Sequence, residues 1–157
     1  MIIPEITQDQ EALLRQIKTT IHQHPETSWQ EIQTTQLIRQ QLSLIDGVEI
    51  LELGLNTGVV AIIKGSVPGK TVALRADIDA LDVDELWKSD YPSLIPGKGH
   101  LCGHDFHTTS LIGAAILLAQ TRDLWQGSVV LIFQPAEETT NGAPQIIKTG
   151  IFEHYHI

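Results

Sequence analysis

A single unbroken apolar run, Val129-Val130-Leu131-Ile132-Phe133, lies in the second half of this 157-residue chain. A strand without polar positions is typical of the centre of a sheet that is covered on both faces. Apolar, β-branched segments at 48–53, 58–64 and 71–74 predict three further strands. Because helical patterns alternate with these strands, the sequence predicts an α/β layered domain with a mainly parallel central sheet flanked by helices.

Four helices are predicted around the strands. The first begins at a capping box at 7–10 and ends before Pro25, because the residue preceding a proline is disfavoured in helical conformation. A second capping box at 28–31 predicts the start of the next helix. The apolar stripe of that helix is expected to be Ile32, Ile38, Leu42 and Ile45. Residues 108–120 form a helix that is apolar nearly all round, and 142–148 form a short final helix.

Composition excludes several classes of partner. The chain has 10 Lys and Arg against 19 Asp and Glu, a net charge of −9, so no basic face is available for nucleic acid or an anionic membrane. No apolar stretch is long enough to span a bilayer, and no leader pattern precedes the first helix. With one cysteine in the chain, we expect a globular protein in the reducing cytoplasm.

Three polar clusters lie next to elements of the predicted sheet. Asp77 and Asp79 follow one strand, and Glu137 and Glu138 follow the apolar run. The third cluster, Cys102-Gly103-His104-Asp105-Phe106-His107, precedes the buried helix. Since ligands of open α/β sheets bind beyond the carboxyl ends of strands, we expect the three clusters to meet at one edge.

The cysteine cluster has the donors of a divalent metal such as zinc. A thiolate and two imidazoles within six residues, around a glycine that permits a tight bend, favour metal binding by Cys102, His104 and His107. Two other interpretations remain open. Cys102 could be a nucleophile with a neighbouring histidine as base and Asp105 as orienting group, or it could be a small buried apolar residue.

The adjacent carboxylates Glu137 and Glu138 can have different roles in a metal site. One can bind the ion while the other takes a proton from bound water. The alternative is a solvated charged loop. A structural zinc site is a third interpretation, and it requires His107 or Asp77 to close the coordination.

Asp77 and Asp79 alternate, so in extended backbone their side chains share a face. They could bind metal, support histidine ligands or cap the following segment. His154 and His156 also resemble a metal pair, but we predict that they are surface residues near the end of the chain.

Four motifs give the chain a family resemblance. They are HQHPE at 22–26, LRADIDAL at 74–81, GHLCGHDFHT at 99–108 and FQPAEE at 133–138. In this order they resemble the aminoacylase and carboxypeptidase-like metallo-amidohydrolases, among them hippurate hydrolases, N-acyl-L-amino-acid amidohydrolases and N-acetyldiaminopimelate deacetylases. The resemblance extends over most of the chain, from about His22 to Phe152.

The resemblance implies a function and a set of roles. The family hydrolyses the amide bond of N-acyl amino acids or short peptides with two divalent ions, zinc or manganese. By motif position, the implied metal ligands are Cys102, His104 and Glu138. Glu137 would be the general base. The residues implied to support the metals are Asp77, Asp79 and His107.

The resemblance also implies that residues 1–157 are the N-terminal part of a catalytic domain. The lid and dimerisation domain and the C-terminal part, with further histidine ligands, would be missing, so we expect negligible catalysis by the chain alone. The alternative is a non-catalytic remnant that acts as an interaction module or as half of a split enzyme. Its partner would be a second copy or a separate C-terminal half, docked on an exposed sheet edge.

Overall fold

Four strands and five α-helices make up residues 4–157, the part of the chain that the computed structural model describes. In chain order they are α1 (Gln8–Gln23), α2 (Ile32–Ser43), β1 (Val48–Leu51), β2 (Val59–Lys64), β3 (Thr71–Asp77), α3 (His104–Gln120), β4 (Ser128–Gln134), α4 (Gly142–Lys148) and α5 (Ile151–Tyr155). A short 3-10 turn, Arg122–Leu124, follows α3. The last helix, α5, and the 3-10 turn were not predicted. Among the described residues, no helix combines the length and apolarity needed to cross a membrane.

The strands form one sheet in the order β1-β2-β4-β3. Strand β4 pairs antiparallel with β2, where Val60 faces Ile132, and parallel with β3, where Leu74 faces Leu131. Strand β1 pairs antiparallel with β2. The α/β class is therefore correct, but the prediction of a mainly parallel sheet is wrong. A parallel neighbour needs a long crossover, and only the β3–β4 connection, which contains α3, places two strands side by side in that way.

Helices cover both faces of the sheet. On one face α2 and α3 contact the strands and α1 packs on α3, whereas α4 contacts β4 on the other face and packs with α5. Successive β4 side chains alternate between the two cores. Leu131 and Phe133 face α3, and Val130 and Ile132 lie in the core with Ile146 of α4. The predicted central, doubly covered strand is confirmed.

The starts of α1 and α3 differ in how closely they follow the sequence prediction. The capping box of α1 is confirmed, because the side chains and backbone N–H groups of Thr7 and Gln10 are hydrogen-bonded reciprocally. Helix α3 begins at His104, four residues earlier than predicted, after Gly103 in the left-handed conformation (φ 80°). His104 and His107 therefore lie on its first turn and share a face.

The second predicted capping box is wrong. Helix α2 begins at Ile32 after Glu31, with no side-chain hydrogen bond at its N-cap. Ser28 donates to the Asp79 carboxylate, and Glu31 accepts the backbone N–H of Ala136. Tertiary partners have replaced the local cap. Ile32, predicted in the apolar stripe, is 48% exposed, whereas Ile38 and Leu42 are fully buried as predicted.

Candidate metal centre

The three polar clusters meet around the buried imidazole of His104. Its Nε2 atom lies 3.5 Å from an Asp77 carboxylate oxygen at the end of β3. The same nitrogen lies 3.8 Å from Glu137 Oε2 and 3.7 Å from Glu138 Oε1 in the turn after β4. The expectation that these clusters share one edge of the sheet is confirmed.

The other ring nitrogen of His104 is held by the backbone. Its Nδ1 donates to the carbonyl oxygen of Asp79 at 2.9 Å. This bond fixes the ring orientation and leaves the Nε2 lone pair toward the carboxylates, as in histidines that bind metals. Burial by itself would lower the pKa of His104, but the hydrogen bond to Asp79 and the charge of Asp77 outweigh it and raise that pKa.

Asp77 links His104 to a second histidine. His107 Nδ1 lies 2.6 Å from Asp77 Oδ1, and the Arg75 guanidinium donates to Asp77 Oδ2 at 2.7 Å. Asp77, His104 and His107 each offer one ligand atom, and these atoms lie within 4.8 Å of one another. His104, Glu137 and Glu138 form a second group of this kind, so His104 is common to both.

Asp79 is buried and has its carboxylate fully engaged. It accepts the Ser28 hydroxyl at 2.7 Å and the backbone N–H groups of Glu137 and Glu138, each at 3.1 Å. Burial opposes ionisation, but the hydrogen bonds from His104, Ser28 and the two amides lower the pKa of Asp79 to about 2. The structure therefore places Asp79 as the residue that holds the turn beside the groups that could bind a metal.

Glu31 reaches the same turn from the start of α2, and sequence reasoning missed this contact. Its side chain is fully buried, and its Oε1 accepts the backbone N–H of Ala136 at 2.8 Å. The hydrogen bond to Ala136 lowers the pKa of Glu31, but burial of the carboxyl group has the larger effect and raises that pKa overall. The only sequence signal at Glu31 was the capping pattern, which predicted a local role.

Cys102 lies exposed at the margin of the site. Its sulfur is outside both groups of converging ligand atoms found in residues 4–157. Hydrogen bonding to the Glu138 carboxylate, then burial and the nearby negative charges, raises the pKa of Cys102 to about 11. Acidic surroundings disfavour an activated thiolate nucleophile. A bound cation would reverse this effect, because a coordinating thiol is deprotonated.

Asp105 has a different role from the one considered for a cysteine nucleophile. It is buried. Its carboxylate accepts a hydrogen bond from His22 Nδ1 at 2.8 Å and forms an ion pair with Lys18 at 3.2 Å. The other His22 nitrogen lies 3.3 Å from Glu85 in the long loop after β3. This network ties α1 to the start of α3 and to that loop, and it engages Asp105 Oδ2 with His22 and Lys18.

The terminal histidines lie apart from this site. His154 is exposed on α5, with its ring against Tyr155, and neither His154 nor His156 belongs to a group of converging ligand atoms in the described chain. These positions agree with the predicted surface location.

The donor set fits a divalent cation. Two imidazoles and three carboxylates offer nitrogen and oxygen ligands of the kind that zinc and manganese bind. Three carboxylate oxygens point at one imidazole nitrogen, an arrangement that a positive charge between them would stabilise.

Comparison with known proteins agrees with this geometry. The model of Peptidase family M20/M25/M40 matches residues 73–157, more than half of the chain. N-acetylcysteine deacetylase of Bacillus subtilis is 46% identical over 136 residues, covering 86% of this chain and 36% of that protein. Thermostable carboxypeptidase 1 of Saccharolobus solfataricus is 48% identical over 139 residues, covering 87% of this chain and 35% of that protein.

A solved structure shows the same fold. The YXEP protein of Bacillus subtilis, described as a dinuclear metal-binding peptidase of the M20 family, has a TM-score of 0.87 at 45% identity. The match covers 90% of this chain and 39% of that one. The chain spans about a third of the length of the curated relatives it matches. The match to the family model and the shared architecture show that the chain belongs to peptidase family M20/M25/M40.

Proposed function

We propose that this chain supplies part of the active site of a metal-dependent amidohydrolase, which cleaves the amide bond of N-acyl amino acids or short peptides. The observation that carries the proposal is the convergence of carboxylate oxygens of Asp77, Glu137 and Glu138 on His104 Nε2, at 3.5 to 3.8 Å. The names of the deacetylase and carboxypeptidase relatives support an amide as the bond that is cleaved.

Each residue has a proposed role in holding two divalent ions, zinc or manganese. Cys102, His104 and Glu138 are the proposed ligands. Asp77 and His107 lie beside them in support, and Asp79 positions the Glu137–Glu138 backbone. When bound, such ions act as Lewis acids that polarise the acyl carbonyl and make water more acidic. A dinuclear site in a 45% identical structure supports the number of ions.

Glu137 is the proposed general base. Its backbone is fixed by the Asp79 carboxylate, while its side chain keeps access to solvent and lies 3.8 Å from His104. A carboxylate held in this way can take a proton from the attacking water and return it to the leaving amine.

We also propose that residues 1–157 form the N-terminal part of the catalytic domain. A lid and dimerisation domain and a C-terminal part, with further histidine ligands, would lie outside them. The support is that the chain aligns with about a third of its relatives' length. A site lacking those ligands would bind metal more weakly, so negligible turnover is expected from this chain alone.

One observation favours a second candidate function, an interaction module or half of a split enzyme. Strand β3 is an edge of the sheet, and its Val72 and Leu74 side chains are 54% and 36% exposed. An exposed apolar edge strand is suited to pairing with another chain, either a second copy or a separate C-terminal half. A cytoplasmic location, which suits the single exposed thiol, is part of either proposal.

The test is hydrolysis of N-acetyl- and N-benzoyl-amino acids by the 157-residue chain during titration with Zn²⁺ or Mn²⁺, with metal content and sedimentation measured on the same samples. Metal binding with negligible turnover is expected. Robust turnover that Cys102→Ala abolishes would show that the site is already complete. A metal-free oligomer would favour the interaction module.

A further inference from the structure

Two buried carboxylates from distant segments hold the turn that carries Glu137 and Glu138. We call residues 135–138 the acidic turn. The Glu31 carboxylate accepts the N–H of Ala136 at 2.8 Å, and the Asp79 carboxylate accepts the next two N–H groups at 3.1 Å each. Three successive backbone N–H groups of the acidic turn therefore donate to side-chain carboxylates.

Ala136 is the residue of this turn that most needs such support. It is fully buried and has a φ of 49°, in the left-handed region that is unfavourable for a residue with a Cβ. Its carbonyl accepts the N–H of Gly142 at 3.1 Å. Without Glu31, its N–H would be a buried donor without an acceptor, which is unfavourable. Loss of this bond would remove one of the three side-chain hydrogen bonds that hold the backbone leading to Glu137 and Glu138.

The hydrogen bond to Ala136 is the main polar contact of the Glu31 side chain, with the Thr57 hydroxyl also close enough to act on its pKa. It occupies the N-cap position of α2 but makes no capping hydrogen bond, and its Oε2 has no hydrogen-bond partner in the part of the chain that is described. A carboxyl group at a fully buried position is less favourable than an apolar side chain of the same size. The hydrogen bond to Ala136 is the contact that an apolar residue could not replace.

We propose that Glu31 is a positioning residue for the acidic turn: it holds the Ala136 N–H and so directs the Glu137 and Glu138 carboxylates toward His104. The consequence for metal binding rests on the proposed function of this site. The effect of Glu31 on the backbone of the acidic turn is independent of that function.

Three substitutions separate positioning from core packing. Glu31→Gln keeps an oxygen that can accept the Ala136 N–H. Glu31→Met and Glu31→Leu fill a similar volume without a comparable acceptor, and both are made in case one does not fold. Leu42→Ala, at a fully buried position within α2, is the control for general destabilisation.

The first measurement is amide hydrogen exchange of the full chain with a chelator present, which needs no bound metal. Glu31→Met and Glu31→Leu are expected to accelerate exchange of Ala136, Glu137 and Glu138 at least tenfold more than exchange in β4. Glu31→Gln should preserve their protection, and Leu42→Ala should affect the acidic turn and β4 alike. Equal effects on turn and strand from every Glu31 variant would overturn the proposal.

The second measurement is Co²⁺ and Zn²⁺ affinity, by competition with a chromogenic chelator. The apolar variants are expected to bind about 10- to 100-fold more weakly than wild type, the usual effect of losing a group that supports metal ligands. Glu31→Gln should bind close to wild type. Wild-type affinity in a folded apolar variant would refute the positioning of the ligands. If the wild-type chain binds no ion, the proposed metal centre fails, and hydrogen exchange alone decides the role of Glu31.

Discussion

The Asp79 carboxylate accepts the backbone N–H of Glu138 at 3.1 Å, across 59 positions of sequence. The register of β3 and β4 ends before these residues, at Asp77 opposite Gln134. Beyond that point a side chain continues the connection between the two strands. The relative position of the clusters in the candidate metal centre therefore depends on Asp79 as well as on strand pairing.

Replacing Asp79 should destabilise the fold even without metal. Asp79→Ala removes a buried acceptor of two backbone amides and of the Ser28 hydroxyl, all of them partly buried, so we expect the free energy of unfolding to fall by about 2 to 4 kcal/mol. Urea denaturation with a chelator present measures it. Asp82→Ala, at an exposed position nearby, should change stability by less than about 0.5 kcal/mol. Equal effects of the two substitutions would contradict the assigned role.

Removing the thiol should affect metal binding and leave stability nearly unchanged. Cys102 is exposed, so Cys102→Ala is expected to alter the free energy of unfolding by less than about 0.5 kcal/mol. In the Co²⁺-loaded chain it should abolish the thiolate-to-cobalt charge-transfer absorption and weaken binding. Leu101→Ala, at the exposed preceding residue, is the control and should keep both. An unchanged Co²⁺ spectrum in Cys102→Ala would exclude the thiolate as a ligand.

The two histidine pairs should differ in their effect on metal affinity. His107 lies 2.6 Å from Asp77 in one group of converging ligand atoms, so His107→Ala is expected to weaken Zn²⁺ binding about tenfold or more. His154→Ala, at an exposed position of α5, should leave affinity unchanged. Isothermal titration of both variants makes the comparison. A larger loss with His154→Ala would move the site to the end of the chain.

The stability of the metal-free chain should depend on the ionisation of Glu31. Burial raises the pKa of Glu31 above its ordinary value of 4.5, so the folded state retains the proton more strongly than the unfolded state does. The stability that comes from keeping the Glu31 carboxyl protonated in the folded state is fully present below pH 4.5. It is lost as the pH rises through the folded-state pKa of Glu31.

Glu31→Gln cannot ionise and should be free of that loss. Relative to wild type, Glu31→Gln should therefore become more stable, with a larger free energy of unfolding, as the pH increases from about 4 to 8. Urea denaturation of both proteins at several pH values, with a chelator present, measures the difference. A difference that is constant with pH would mean that Glu31 has the same pKa in the folded and unfolded states.

Much of the site could be predicted because its chemistry belongs to residue types at strand and helix ends. The order of Asp77, His104 and Glu138 along the chain, next to two strands and a helix, was sufficient to expect them at one edge. The capping box at Thr7 was also predictable, since its donors and acceptors are three residues apart and need no distant partner.

Strand orientation could not be predicted in the same way. The apolar run at 129–133 shows that β4 is buried on both faces, but burial does not reveal whether a neighbour runs parallel or antiparallel. The antiparallel pairing of β4 with β2 arises from connections between distant segments. A pattern of local hydrophobicity contains no information on that pairing.

At residues 28–31 the local sequence pattern predicts one set of hydrogen bonds and the tertiary structure has another. Ser28 and Glu31 have the groups of a capping box, and the linear sequence specifies only that those groups are present. Folding brings Asp79 within 2.7 Å of Ser28 and the Ala136 amide within 2.8 Å of Glu31, the latter across 105 positions. The same hydroxyl and carboxylate can serve a helix N-terminus or a distant partner. The choice depends on which partner the packed chain places within hydrogen-bonding distance.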